Sequence, residues 1–144
     1  VAIQIGALLR VAEANQQALH DGGVLRYYTG SLPATIETAA TGTLVAEFDL
    51  PTPAYTIPSV DDGSQAVATA KPIATTNAVA DGSPVTYYRS YASGGVDPDD
   101  ALKQGTISAT GGGGDMIIDD PNITNGEPLS VGTWTYTQPR QTIP

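Results

Sequence analysis

Four groups of residues in this 144-residue chain have types and spacing that could do chemistry: two acidic clusters, one histidine and one run of glycines. The acids are Asp97, Asp99 and Asp100, followed by Asp115, Asp119 and Asp120. Calcium takes several oxygen ligands and could use such groups. The EF-hand pattern is not met, because glycine is missing from the turn position and no Glu closes the loop. A solvated acidic loop is the plainer reading. A pair of carboxylates about 5 to 9 Å apart could also hydrolyse a glycosidic bond, but nothing in the spacing selects a pair.

Ser-His-Asp catalysis would require His20, the only histidine. It stands at the end of a predicted helix, where the helix dipole favours a cation, and the chain has no G-x-S-x-G elbow. Gly111–Gly114 invite comparison with a phosphate loop. Such a loop needs Lys and Ser/Thr after its last glycine, whereas Asp115 and Met116 follow here and Asp115 would repel phosphate. The G-x-G-x-x-G spacing is absent as well. The glycines read instead as a turn or bulge between strands, where φ must be positive or backbones must approach closely. No residue is assigned as catalytic, cofactor-binding or metal-ligating, no cofactor is expected, and the chain reads as a non-enzyme.

The elements that would position these residues are short. Residues 3–20 carry helical spacing, with Ile5, Leu8, Leu9, Ala12 and Leu19 on one face and Arg10, Glu13, Gln16 and Gln17 on the other. Asp21-Gly22-Gly23 is a stop signal. Strands are predicted at 24–29, 43–50, 85–91, 105–110, 115–119 and 129–137, with weaker ones at 55–57, 65–76 and 78–80. In TLVAEFDL, Leu44, Ala46, Phe48 and Leu50 alternate with Thr43, Val45, Glu47 and Asp49, so the first set faces a core. Residues 97–104 read as an acidic loop or short helical turn. Two stretches look alike, Leu25–Leu50 and Thr86–Ile107: each has an aromatic-pair strand, a Gly/Pro/Asp-rich excursion and a strand beginning Gly-Thr. They are either a degenerate repeat or ordinary β recurrence.

Composition bounds the rest. One domain is expected at this length, organised as an N-terminal helix over 1–23 and a β-sandwich over 24–144. The fold class is all-β: an antiparallel, jelly-roll-like β-sandwich with one N-terminal α-helix. Net charge is −9, and the cations Arg10, Arg26, Lys71, Arg89, Lys103 and Arg140 are scattered, so no nucleic-acid partner is expected. No apolar run approaches the length of a membrane span, and VAIQIGALLR lacks the features of a signal peptide. The absence of Cys removes disulfides, Cys-zinc sites and thiol nucleophiles. A charged fraction of 15% leaves a surface of Thr, Ala and Gly that packs against protein at little desolvation cost. Most aromatics fall on predicted strands; in Tyr27/Tyr28 and Tyr87/Tyr88 one ring faces each side of the sheet, so that one fills the core and the other is available at an interface or for carbohydrate stacking.

LRYYTGSLPATIETAATGTLVAEFDL and SATGGGGDMIIDDPNITNGEPLSVGTWTYT resemble a family of small structural proteins of tailed phages and prophages. The resembling segments are Leu25–Ala34, Thr41–Ala46, Thr86–Tyr91, Gly112–Asp119 and Asn125–Thr137. These are turn and strand signatures, and the chain departs from the pattern in its Pro-rich middle and at Asp97–Asp100. The resemblance implies a non-enzymatic virion protein made in the bacterial host cytoplasm, with a capsid decoration or cement role that bridges major capsid subunits. Its partners would be the major capsid protein or other virion proteins, with many copies per particle or a homo-oligomer. A tail, neck or fibre-associated protein, or a carbohydrate- or receptor-binding β-module, is the alternative.

Overall fold

The computed structural model describes residues 18–56, 65–131 and 135–139, with backbone alone at 55–56, 65–70 and 135–139. The described chain is largely β. A short helical turn at 18–20 precedes β1 (Val24–Tyr28), β2 (Leu44–Asp49), β3 (Tyr55–Thr56), β4 (Gln65–Ala70), β5 (Thr76–Asn77), β6 (Tyr87–Tyr91), β7 (Ala101–Ala109), β8 (Met116–Ile118), β9 (Pro128–Leu129) and β10 (Thr135–Pro139). The helix expected over 3–20 lies outside the described residues except for that final turn. Among the described residues no helix is long and apolar enough to cross a membrane.

The main sheet has the order β2-β1-β6-β7-β8; two smaller sheets run β10-β4-β3 and β5-β9. Strand alternation gives the main sheet two unlike faces. Leu25, Tyr27, Ala46, Phe48, Tyr88 and Ile107 are buried in the apolar core, where the Tyr27 and Phe48 rings lie 5.0 Å apart and tilted by 59°. The opposite face carries Arg26, Tyr28, Tyr87, Arg89 and Tyr91. It follows that both members of each tyrosine pair are buried, Tyr27 and Tyr28 as well as Tyr87 and Tyr88. No ring of either pair stands free as a contact surface, which corrects the expectation of one core ring and one interface ring.

Several strand assignments change for identifiable reasons. The register between β1 and β2 slips at Tyr27/Tyr28, leaving Val45 as the bulged residue. Val45 and Ala46 are both fully buried, whereas alternation places Val45 outward. Burying one valine contributes about 1.5–3 kcal/mol, more than the ~1 kcal/mol of a ladder hydrogen bond. That bond is not lost in any case, because the Val45 carbonyl accepts from the Val79 amide at 2.8 Å. Residues 101–104, expected as loop, open β7, because Ala101–Gln104 pair with Arg89–Tyr91 of β6. The run 129–137 does not form a single strand: Leu129 ends β9, paired with β5, while β10 pairs with β4.

The expectation of a wholly antiparallel sheet is also corrected. β7 and β8 are parallel, with Ile107 opposite Met116 and Ala109 opposite Ile118. Parallel neighbours ordinarily need a crossover of a dozen or more residues; here residues 110–115 suffice, and the four glycines are the reason. Gly111 and Gly113 adopt positive φ of 86° and 76°, and a Cβ at either would meet open space. Gly112 and Gly114 instead lie against Ser108, where a Cβ would come within 2.7 Å of the Ser108 Cβ and 2.8 Å of its backbone nitrogen, respectively. The Gly112 amide donates to the Ala109 carbonyl at 2.9 Å and the Gly114 amide to Ser108 Oγ at 2.8 Å. Two glycines therefore turn the chain and two let it lie flat on β7.

This division of labour separates substitutions that sequence alone would treat alike. Gly114→Ala forces backbone apart and is expected to cost about 1–3 kcal/mol. Gly111→Asn tolerates its left-handed conformation and open surroundings and is expected to stay within about 1 kcal/mol of the parent. Urea denaturation of the two variants measures both values.

Candidate functional site

The polar face of the main sheet concentrates the side chains best able to do chemistry. Arg26 and Arg89 stand directly opposite each other on β1 and β6, an arrangement that repels unless each charge is answered. Each is answered in the same way. Arg26 Nε donates to Glu47 on the adjacent β2 at 2.6 Å, and Arg89 Nε donates to Gln104 on the adjacent β7 at 3.1 Å. Arg26 Nη1 then reaches the Gly95 carbonyl in the β6–β7 connection at 2.8 Å, and Arg89 Nη2 reaches the Thr35 carbonyl in the β1–β2 connection at 3.4 Å. Every antiparallel pair has a local two-fold, and here it relates two hairpins. Each hairpin's arginine holds the other's loop.

The likeness between Leu25–Leu50 and Thr86–Ile107 thus has a geometric counterpart, in a different alignment from the one the sequence suggests. Arg26 corresponds to Arg89 and Tyr28 to Tyr91, rather than Tyr27-Tyr28 to Tyr87-Tyr88.

Asp97 completes the network. Its Oδ1 accepts from Arg89 Nη1 at 2.8 Å and from the Tyr91 hydroxyl at 2.7 Å, and its Oδ2 accepts from the Ala40 amide at 2.7 Å. The Tyr91 hydroxyl has one proton and gives it to Asp97, so the Tyr28 hydroxyl, 2.8 Å away, donates to Tyr91. Tyr87 OH accepts from the Thr41 amide and donates to the Thr41 carbonyl, while Gln104 Nε2 donates to the Pro33 carbonyl at 3.0 Å. The Arg26 guanidinium lies over the Tyr91 ring, 4.5 Å from its centroid, and Tyr28 stacks on Tyr87 at 5.1 Å. Burial alone would raise the Asp97 pKa; the hydrogen bonds from Tyr91 and Ala40 and the Arg89 charge outweigh it and hold the carboxyl below its ordinary value. Burial, then the bond to Asp97, pushes the Tyr91 phenol up. The polar groups of this cluster are engaged with one another and with the two loops.

The acids read from sequence as two clusters are dispersed. Asp97 is part of the buried network rather than a solvated loop. Asp100 accepts from the Val96 amide at 2.9 Å, and Asp99 is exposed. Asp115 braces the glycine turn: its Oδ2 accepts from the Thr106 amide at 3.0 Å and the Thr106 hydroxyl at 3.1 Å. Asp119 and Asp120 line a separate cavity with Glu127. Among the described residues no three His, Asp or Glu side chains are arranged to hold a metal ion.

His20 does not simply end a helix. Its Nε2 lies 2.9 Å from Ser90 Oγ, a pairing of base and hydroxyl that sequence separation concealed. Both residues are fully buried, so this serine is closed to substrate and the contact binds the residue-20 turn to β6. The residues missed from sequence are Arg89, whose side chain is fully buried, Ser90 and Tyr27. One signal was available for the first: an Arg between two strand tyrosines, with an aspartate eight residues on.

The network dictates a pH response. Because the folded-state pKa of Asp97 is depressed, its contribution is fully present above the ordinary carboxylate value of 3.8 and is lost as pH falls below it. Asp97→Ala strands the Arg89 charge. The expected loss is about 3 kcal/mol, the lower end for a broken buried pair, because the Asp97 side chain keeps 21% exposure. Asp97→Asn should flatten the acid limb of stability. Urea titrations from neutral pH to pH 3 check both.

Compared with protein-family models, curated proteins and solved structures, the chain matches none.

Proposed function

We propose that this chain is a non-enzymatic tailed-phage virion protein that decorates the capsid and cements neighbouring subunits. The observation that carries the reading is where the reactive side chains go. Arg89, Asp97, Tyr91, His20 and Ser90 are engaged in internal hydrogen bonds, while apolar side chains are left outside. Leu32 and Val96 are exposed on the two loops that the arginines hold, and Ile117 is exposed on β8 at one edge of the main sheet. An open edge strand with an exposed isoleucine suits pairing with another chain. The resemblance of Leu25–Ala34 and Gly112–Asp119 to phage structural proteins supplies the biological setting.

In this reading the three-stranded sheet β10-β4-β3 forms the second layer of a jelly-roll-like sandwich over the apolar face. Stabilisation follows by linkage: a protein that binds only the assembled shell favours that state, and attachment to a repeating lattice multiplies a modest single contact. A specific contact of this kind buries roughly 1,000 Å² or more in total.

Electron microscopy of particles carrying a labelled copy tests the proposal. Label spread over the head in many copies, together with shells that melt at lower temperature when the protein is absent, is the expected result. A ring at the neck or tail assigns it to that structure instead, and absence from mature particles overturns the virion role.

A further inference from the structure

Residues 78–82 and 123–127 are zipped together beyond the β5–β9 ladder. The Ala78 amide donates to the Glu127 carbonyl at 2.8 Å, and the Gly126 amide donates to the Ala78 carbonyl at 2.8 Å. Gly82 and Ile123 exchange both of their backbone bonds, at 2.8 and 2.6 Å. Asp81 Oδ1 accepts from the Asn125 amide at 2.8 Å. Each segment carries one dipeptide that rearranges slowly in water, Asp81-Gly82 on one side and Asn125-Gly126 on the other. In both, the glycine nitrogen is the group that would attack the preceding side chain. In both, the fold ties that nitrogen to a carbonyl of the opposite segment.

Asn125 is the residue whose type and setting carry the inference. Of the four asparagines it alone precedes a glycine, and the missing side chain leaves the following nitrogen free to approach. Asn125 and Gly126 are both exposed, so water reaches them, and what restrains them is backbone geometry. The Glu127 amide donates to the Thr124 carbonyl at 2.9 Å, Gly126 has a φ of 86° and Asn125 has a negative φ, which makes 124–127 a type II turn. The ψ of about +120° at the Asn position of such a turn directs the Gly126 nitrogen away from the Asn125 side chain and onto Ala78.

We infer that Asn125 is a site of spontaneous deamidation gated by this zipper: imide closure is blocked while segments 78–82 and 123–127 are paired and proceeds when they part. The step needs only water. The Gly126 nitrogen gives its proton to solvent and bonds to Asn125 Cγ; the Cγ–Nδ2 bond breaks, and that nitrogen takes up a proton and leaves as ammonia. Water then opens the five-membered imide at one of its two carbonyls, giving aspartate or isoaspartate. Either product adds a negative charge on the residue whose amide the Asp81 carboxylate holds. Isoaspartate also lengthens the main chain by one methylene inside the turn, so the Gly126–Ala78 and Glu127–Thr124 bonds fall out of register. Loss of ammonia prevents return, and the turn keeps a record of having opened.

Incubation of the full chain in mildly alkaline buffer, with and without denaturing urea, tests this by peptide mass spectrometry with fragmentation that separates aspartate from isoaspartate. Conversion at Asn125 is expected to be at least about tenfold slower in the folded chain, because it proceeds only through the open state. Asn77 and Asn122, which precede Ala78 and Ile123, stay intact over the same interval. Hydrogen exchange of the Gly126 amide, read by NMR in the same buffer, should show a protection that matches the retardation within about threefold. Asp81→Ala, a surface change that removes the bond to the Asn125 amide, should speed conversion severalfold in the folded chain and leave the rate in urea unchanged; its urea midpoint shows that the rest of the fold is intact. Equal rates in the folded and unfolded chain, an unprotected Gly126 amide, earlier conversion at another asparagine, or a folded Asp81→Ala chain that converts like the parent overturns the proposal.

Discussion

A single buried ion pair organises this protein. Arg89 is wholly inside, and a guanidinium there is tolerable only with a carboxylate and further acceptors around it. Asp97, Gln104 and the Thr35 carbonyl supply them. Those partners come from three different segments, so satisfying one charge positions the β6–β7 connection, β7 and the long β1–β2 connection together. Residues 29–43 contain little apolar material and could not be ordered by burial. They are ordered because their backbone groups at Pro33, Thr35, Ala40 and Thr41 are wanted by polar side chains on the sheet.

The reciprocity of the two arginines adds cooperativity to this arrangement. Arg26 reaches into the loop that Arg89's hairpin carries, and Arg89 into the loop that Arg26's hairpin carries. Neither loop can leave without unpairing a group beneath the other. The same contacts satisfy the tyrosine hydroxyls of that face. Tyr27, on the opposite face, stands outside this network, and among the described residues its hydroxyl is the buried side-chain group left without a hydrogen-bond partner.

The β7–β8 pair shows a second way of meeting a constraint. A parallel neighbour so soon after β7 is possible because glycines both invert the chain and permit contact with Ser108. Asp115, with an acid's capacity to accept two bonds, locks the return to Thr106. Here acidic and glycine residues whose spacing suggests a ligand loop serve the backbone.

What the amino-acid sequence determined by itself was local: short strands between turn signals, a largely β chain, inward Ala46, Phe48 and Leu50, and a glycine run suited to a turn. These follow from alternation, turn chemistry and φ preference, which need only neighbours in the chain. The tertiary structure decided the rest. It sent Val45 inward through a bulge, made β8 parallel, buried Arg89 with Asp97, set His20 against Ser90, and brought Tyr27 beside Asp119, Asp120 and Glu127. Each of these depends on which distant groups meet across the sheet. Whether a buried charge or hydroxyl stabilises or destabilises is set by the partners around it in space, and spacing along the chain does not carry that information.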